Sequence, residues 1–413
     1  MFENKSILGW AFYDWANSVF ATVVIAGFFP IVFKSYWAST LTDTESTFWL
    51  GSANAFASLV VVLIAPFLGG VGDKFNLRKP LLISFMLLGS LTTAAFYFSL
   101  QGDWELVLFL YIVATIGFMS ANIFYDALLV HVGEKSEIDK ISGFGYGLGY
   151  LGGGIALAMC VYVSQNSREL GFSQTIDAVL LCFLLVAVWW LVFSVPLMLW
   201  TKDEKVTTEN LQSKSVFKNT IETFKSVFSN PQTRLFLIAY WIYIDGVDTI
   251  VRMAVDYGMA LGFDTGDLIQ ALLITQFVGF PAAIIYAYLG HKVGVKKSIM
   301  AGIGIYVLIT WIGYGMNSAQ DFYLLAIMIG LVQGGVQAMS RSFFTRMIPD
   351  GQAAEYFGIY NMLGKSAAII GPLLMGGVAL LTENHRYSIL SVMILFVVGA
   401  LVLSRVRVDA GTK

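Results

Sequence analysis

Twelve runs of 18 to 26 residues, almost free of charge, recur along the chain and are separated by short polar loops. A helix that crosses a bilayer needs about 20 such residues. In lipid every backbone N–H and C=O must find its partner inside the segment, so the runs are read as helices. They fall at 9–33, 49–70, 81–100, 106–130, 142–164, 178–200, 234–257, 267–289, 298–316, 322–344, 356–381 and 387–404. Composition agrees: 57% of residues are apolar and only 13% are charged, against about 25% charged in a soluble domain. That balance excludes a disordered chain, a collagen, a coiled coil and most soluble enzymes. The first run is too long for a signal-peptide core and lacks an Ala-x-Ala cleavage pattern, so it is read as a retained helix. The expected fold is an all-α membrane protein with twelve transmembrane helices.

An even number of spans places both termini on one side. If that side is cytoplasmic, the loops assign 19 of the 25 lysines and arginines to it. Three (Lys34, Arg168 and Arg386) fall outside, and three (Arg252, Arg341 and Lys365) lie within spans. Basic residues favour the cytoplasmic side, so both termini are expected there. The absence of an organellar signal favours the inner (plasma) membrane of a bacterial cell.

The longest polar stretch, 201–233, separates an amino-terminal group of six spans (1–200) from a carboxy-terminal group of six (234–413). Within it Phe217, Ile221, Phe224 and Phe228 recur at helical spacing, with Lys218, Glu222 and Lys225 between them. This pattern predicts an amphipathic helix lying on the cytoplasmic membrane surface.

The two groups of six resemble each other. The loop after the second span reads Gly72-Asp-Lys-Phe-Asn-Leu-Arg-Lys79, and that after the eighth reads Gly290-His-Lys-Val-Gly-Val-Lys-Lys297. The first span carries Asp14 and Asn17, and the seventh carries Asp245 and Asp248, both pairs spaced by three. The fourth carries Asn122 and Asp126, and the tenth carries Gln337 and Arg341, both spaced by four. Parallel six-helix repeats are a transporter architecture in which two pseudo-symmetric bundles rock around a site near the midplane.

Gly69-x-x-x-Asp73-Lys74 followed by Arg78-Lys79 resembles the loop signature of the major facilitator superfamily. Here Asn76 replaces the inner glycine, and one extra residue precedes the basic pair. In the second copy His291 replaces the acid. Three further strings are similar to the autophagy-related vacuole-effluxer-like permeases of that superfamily: Phe12-Tyr-Asp-Trp-Ala-Asn17, Asn122-x-x-Tyr125-Asp126-Ala127 and Gln337-Ala-Met-Ser-Arg-Ser342. The resemblance extends over nearly the whole chain. It implies alternating-access transport, with a central cavity lined by the first, fourth, seventh and tenth spans. Fungal relatives are associated with amino-acid efflux, so an amino acid is the substrate that the resemblance favours.

Charged side chains inside spans usually face the bundle interior and mark a pathway. Eight ionisable residues fall there: Asp14, Asp126, Asp245, Asp248, Arg252, Asp256, Arg341 and Lys365. All but Lys365 sit on the first, fourth, seventh and tenth spans. Asp245, Asp248, Arg252 and Asp256 share one helix face, so Arg252 is placed to pair with a neighbouring acid. Five acids against three bases leave a surplus of negative charge. A proton, another cation or a cationic substrate group would neutralise it, and Asp14 or Asp245 is the expected site of a coupling proton. Asp126 and Arg341 either line the substrate path or close a salt-bridge gate between the groups. Asp256 reads as interfacial, and Lys365 is placed to snorkel towards the interface. The candidate lining set is Asp14, Asn17, Asn122, Tyr125, Asp126, Asp245, Asp248, Arg252, Gln333, Gln337 and Arg341. Asp73, Arg78 and Lys79 form the candidate gate.

Other motifs fail on context. Gly147-x-Gly149-x-x-Gly152 matches a dinucleotide fingerprint but lies in an apolar span rather than after a strand. Gly145, Gly149 and Gly153 instead suit close helix packing. Gly364-Lys365-Ser366 lacks the upstream glycine of a phosphate loop. Three histidines without His-Glu-x-x-His, and no Gly-x-Ser-x-Gly, give no support to hydrolase or metalloprotease chemistry. Cys160 and Cys182 lie in apolar runs and suggest neither a disulfide nor a metal site. No cofactor, metal or nucleic acid is expected, and a net charge of -2 creates no strong field for an acidic partner. The chain reads as a monomeric secondary transporter of a small polar solute rather than an enzyme. The competing readings are an exporter of drugs or sugars, and a non-transporting sensor or lipid scramblase.

Overall fold

The computed structural model describes residues 4–203, 216–367, 370–382 and 385–407. Fourteen helices follow one another among them. The first, α1, runs from Lys5 to Trp37. It is followed by α2 (Asp43–Lys74), α3 (Arg78–Ala95), α4 (Trp104–Val132), α5 (Ile138–Gln165) and α6 (Thr175–Trp200). The polar stretch contributes α7 (Val216–Ser229). Next come α8 (Pro231–Ala260), α9 (Thr265–Val293), α10 (Val295–Gly315) and α11 (Ala319–Thr345). The eleventh span is formed by α12 (Ala353–Ala367) and α13 (Ile370–Thr382), and the twelfth is α14 (His385–Ser404). Each expected span is therefore present, and most are several residues longer than their apolar run.

Ten of these helices are long and apolar enough to cross a membrane by composition alone. The two spans outside that count have visible reasons. Asp245, Asp248, Arg252 and Asp256 interrupt α8, and α12 and α13 each have fewer than 18 described residues. The outward-facing surface is apolar, with Leu59, Leu63, Leu91, Phe109, Ile285 and Trp311 all exposed. In water such a surface would be an association hazard; around a membrane protein it is the lipid contact.

The twelve spans form two six-helix bundles. In the first, α1 packs on α5 and α6, and α4 packs on α2 and α3. In the second, α11 packs on α9 and α10, and α8 packs on α14. The bundles meet where α5 crosses α9 and where α2 crosses α12. Small residues allow both crossings. A Cβ at Gly69 would lie 2.1 Å from the Ala354 carbonyl oxygen, and one at Gly143 would lie 2.1 Å from the Ala287 Cβ. Such close backbone approach is how helices gain packing contacts in lipid. The stride of Gly145, Gly149 and Gly153 faces α1, where added Cβ atoms would meet Trp10, Ser18 and Thr22.

The two repeated loops share a backbone device. Asn76 has φ 52° and is the one positive-φ non-glycine among the described residues. The aligned Gly294 has φ 109°. Asparagine is among the few side chains that tolerate the left-handed region, so the departure at Asn76 preserves the turn.

One feature of α1 was not expected. Phe20–Phe28 and Phe33–Trp37 adopt π-helical geometry on either side of a short α segment containing Pro30. Proline removes a backbone donor, and the wider turns accommodate the loss.

Candidate functional site

Arg341 of α11 is the centre of the interface between the bundles. Its position is set by a helix that is buried along most of this stretch, where Ser340, Arg341 and Ser342 are all inaccessible. One Nη lies 3.1 Å from Asp126 Oδ1 of α4, and the other lies 3.8 Å from Asp14 Oδ2 of α1. Nε donates to Ser142 Oγ at 3.0 Å, and an Nη donates to the Ser142 carbonyl at 3.1 Å. The guanidinium also sits 4.9, 5.4 and 4.4 Å from the ring centroids of Trp10, Tyr125 and Tyr146. A planar, permanently charged group suits this combination of carboxylates, carbonyl and aromatic faces, whereas a lysine would not match it.

The acids are held in turn. Tyr125 donates to Asp14 Oδ2 at 2.8 Å, and Asn361 of α12 donates to Asp126 Oδ2 at 2.9 Å. Trp10 donates to the Tyr125 carbonyl at 2.8 Å and stacks on its ring. One turn further along, Asn17 donates to Asn122 at 2.7 Å. Two buried carboxyl groups thus share one guanidinium.

The remaining candidates lie around this centre. Asp245 is buried and accepts from the Gly371 N–H of α13 at 3.0 and 3.1 Å. Asp248 and Lys365 are half-buried and Arg252 is exposed. Arg252 makes no ion pair within 4 Å with Asp248, one of its two expected partners. Sharing a helix face at a spacing of four permits that contact without imposing it. The side chain of Asp256 lies outside the described residues. Gln333 and Gln337 are half-buried on α11.

Asp73, at the end of α2, accepts the N–H groups of Ala354 and Glu355 at 3.1 and 2.8 Å, where α12 begins. It thus caps a helix of the other bundle. Arg78, itself fully buried, donates to Asp73 at 2.8 Å and to Asp203 at 3.1 Å. The sequence grouped Lys79 with this gate; its Nζ binds the Thr201 carbonyl at 2.9 Å and its backbone N–H donates to Asp203 at 3.3 Å, both at the start of the joining segment.

A second cluster escaped the sequence reading. Asp139 of α5 pairs with Arg346 at 2.8 Å, accepts a short hydrogen bond from Ser342, and lies 3.4 Å from His291. Here the loop residue is a histidine and the acid is on the facing helix, the reverse of the Asp73 arrangement. The exchange of acid for histidine at position 291 was the available signal. Asp139 itself, at a helix start beside many loop charges, looked ordinary. These polar contacts between bundles gather at one end of the molecule, the end that carries Asp73, Asp139, Arg346 and Asp350. The structure is closed there.

Comparison with known proteins agrees with this geometry. Residues 36–413 match the family model described as vacuole effluxer Atg22 like. The chain belongs to the Atg22-like family. It is 35% identical to an uncharacterized MFS-type transporter of Bacillus subtilis, over 99% of this chain and 96% of that one. It is 24% identical to autophagy-related protein 22 of Vanderwaltozyma polyspora, over 99% of this chain and 92% of that one. Among solved structures, the human organic anion transporter MFSD10 superposes with a TM-score of 0.74 at 14% identity, covering 97% of this chain and 99% of that one. FucP in its outward conformation gives 0.71 at 15% identity, covering 98% and 99%. This Atg22-like chain is therefore a multi-pass membrane protein of the major facilitator type, and its twelve-helix fold is that of the superfamily's transporters.

Proposed function

We propose that this protein is a secondary active transporter of a small polar organic solute, favouring an amino acid, and that it works by alternating access between two six-helix bundles. In this reading the bundles comprise 1–200 and 234–413, joined by 201–233, and the protein acts as a monomer. Both termini lie in the cytoplasm, because 19 basic residues in the loops share their side, and the membrane is the plasma membrane. The end closed by Asp73 and Asp139 is then cytoplasmic, and the structure represents an outward-open or occluded state.

The observation that carries the proposal is the Arg341 centre. Its ligands, Asp14, Asp126 and Ser142, come from one bundle while Arg341 comes from the other. Rocking the bundles apart withdraws the guanidinium and leaves two carboxylates beside Trp10, Tyr125 and Tyr146. Such a chamber suits an ammonium group, which both acids and aromatic faces attract. Asp245, Asp248, Arg252 and Lys365 supply further charges of both signs on the second bundle, as a zwitterion requires. Asp14, whose counter-ion departs on opening, and Asp245 are the proposed coupling-proton sites.

Purified protein in proteoliposomes loaded with unlabelled amino acids should accumulate labelled amino acid by counterflow. Asp126→Asn should reduce that accumulation at least tenfold. Counterflow with sugars or drug-like cations, and none with any amino acid, would move the substrate assignment to the alternative class.

A further inference from the structure

The helix α7 packs against α2, α8 and α12, touching both bundles. Its two faces differ. Asn219, Thr220, Thr223 and Val227 are buried, whereas Phe217, Ile221 and Phe224 are 61%, 39% and 39% exposed. Thr223 Oγ1 donates at 2.5 Å to Glu355 Oε2, a buried carboxylate at the start of α12. The backbone N–H of that same residue is the one Asp73 accepts at 2.8 Å. Glu355 is thus gripped on its main chain by α2 and on its side chain by α7. The grip depends on close approach: a Cβ on Gly70 would lie 2.7 Å from Thr220 Oγ1 and 3.0 Å from Glu355 Oε1.

The exposed apolar face of α7 continues the lipid-facing surface. Phe217 stacks on Phe67 of α2, with ring centroids 5.6 Å apart and planes within 7°, and Phe67 is itself exposed. Lys218, Glu222 and Lys225 are exposed on the same helix, and Arg234 follows on α8, a net positive edge beside apolar rings. A helix with aromatic residues at the acyl boundary and bases at the headgroup level is an interfacial helix for anionic lipid.

We infer that α7 is a lipid-anchored latch: anionic phospholipid binds its outer face, and its inner face clasps Glu355 while the Asp73 gate is closed. The inference rests on the alternating-access reading. In the open state α2 and α12 separate, so Thr223 cannot hold Glu355 and Asp73 cannot cap α12 together. Lipid that fixes α7 in place therefore favours the closed state.

Spin labels at Ser136→Cys and Asp350→Cys, on opposite bundles at the gated end, report the closed-to-open ratio by their distance distribution. The measurement compares nanodiscs of phosphatidylcholine with nanodiscs containing phosphatidylglycerol. Anionic lipid should raise the ratio about fivefold, the factor one base gains near an anionic surface. The double variant Lys218→Gln, Lys225→Gln should lose that dependence while matching the parent in phosphatidylcholine. Thr223→Val should lower the ratio in both lipids. A ratio that ignores lipid composition, with Thr223→Val indistinguishable from the parent, overturns the latch. A single distance in every lipid overturns the alternating-access reading instead.

Discussion

Replacing Gly69 by alanine should open the gated end. The added Cβ would lie 2.1 Å from the Ala354 carbonyl oxygen, 2.7 Å from its carbon and 2.9 Å from Glu355 Cα. Ordinary carbon-to-oxygen contacts are about 3.3 Å or longer, and both colliding groups are backbone, so α2 and α12 must part by about 1 Å. That displacement stretches the Asp73 bonds to Ala354 and Glu355, now 3.1 and 2.8 Å, beyond useful range. A hydrogen bond to a charged group contributes about 1.5–3 kcal/mol, so losing both costs the closed state about 3–6 kcal/mol. Water recovers part of this at Asp73. Even 1.4 kcal/mol is a tenfold change in the closed-to-open ratio, so at least that shift is expected from the Ser136/Asp350 label pair. Gly51→Ala on the same helix is the control, because a Cβ there meets nothing within 4 Å. A Gly69→Ala protein with the same ratio as Gly51→Ala would refute the argument that this crossing holds the gate.

Other substitutions probe the centre and the loop. Arg341→Gln should destabilise the detergent-solubilised protein by about 3–5 kcal/mol, because it leaves buried carboxylates without their counter-charge. Adding Asp126→Asn should restore part of the lost thermal stability. Asp14→Asn and Asp245→Asn separately test proton coupling: one of them should abolish proton-linked flux while retaining counterflow, and unchanged coupling in both removes the assignment. Asn76→Gly should be tolerated, while Asn76→Val should cost about 1–2 kcal/mol through its left-handed φ, read as a lower melting temperature.

The spans and their pseudo-repeat were legible because lipid imposes one solution on the backbone and tolerates few charges. Asp14, Asp126 and Arg341 stood out for the same reason, each a charged residue within an apolar run. What spacing could not supply was the third dimension. Asn122 and Asp126 share a face of α4, but nothing in their spacing says that Asn17 meets the first and Asn361 the second. Asp245 read as a cavity acid, and nothing in its spacing says that it accepts the Gly371 N–H of the eleventh span. Asp139 was hidden among loop charges whose positions already satisfied the topology. Ser142, which binds Arg341 with both its hydroxyl and its carbonyl, carries no charge to draw notice. Lys79 shows the converse: a motif grouped it with Asp73, but its long side chain reaches the Thr201 carbonyl at the start of the joining segment.

The central claim is that the bundles rock around the Arg341 centre, and paired distance measurements at both ends test it most directly. One label pair, Ser136→Cys with Asp350→Cys, spans the gated end. A second, Thr40→Cys with Gln320→Cys, spans the opposite end, where all four native side chains are exposed across the two pairs. In nanodiscs each pair should give two distances. Conditions that open the gated end, including Gly69→Ala, should lengthen the first distance and shorten the second together. A second distance that stays fixed while the first lengthens, or a single distance at both ends under every condition, would contradict alternating access.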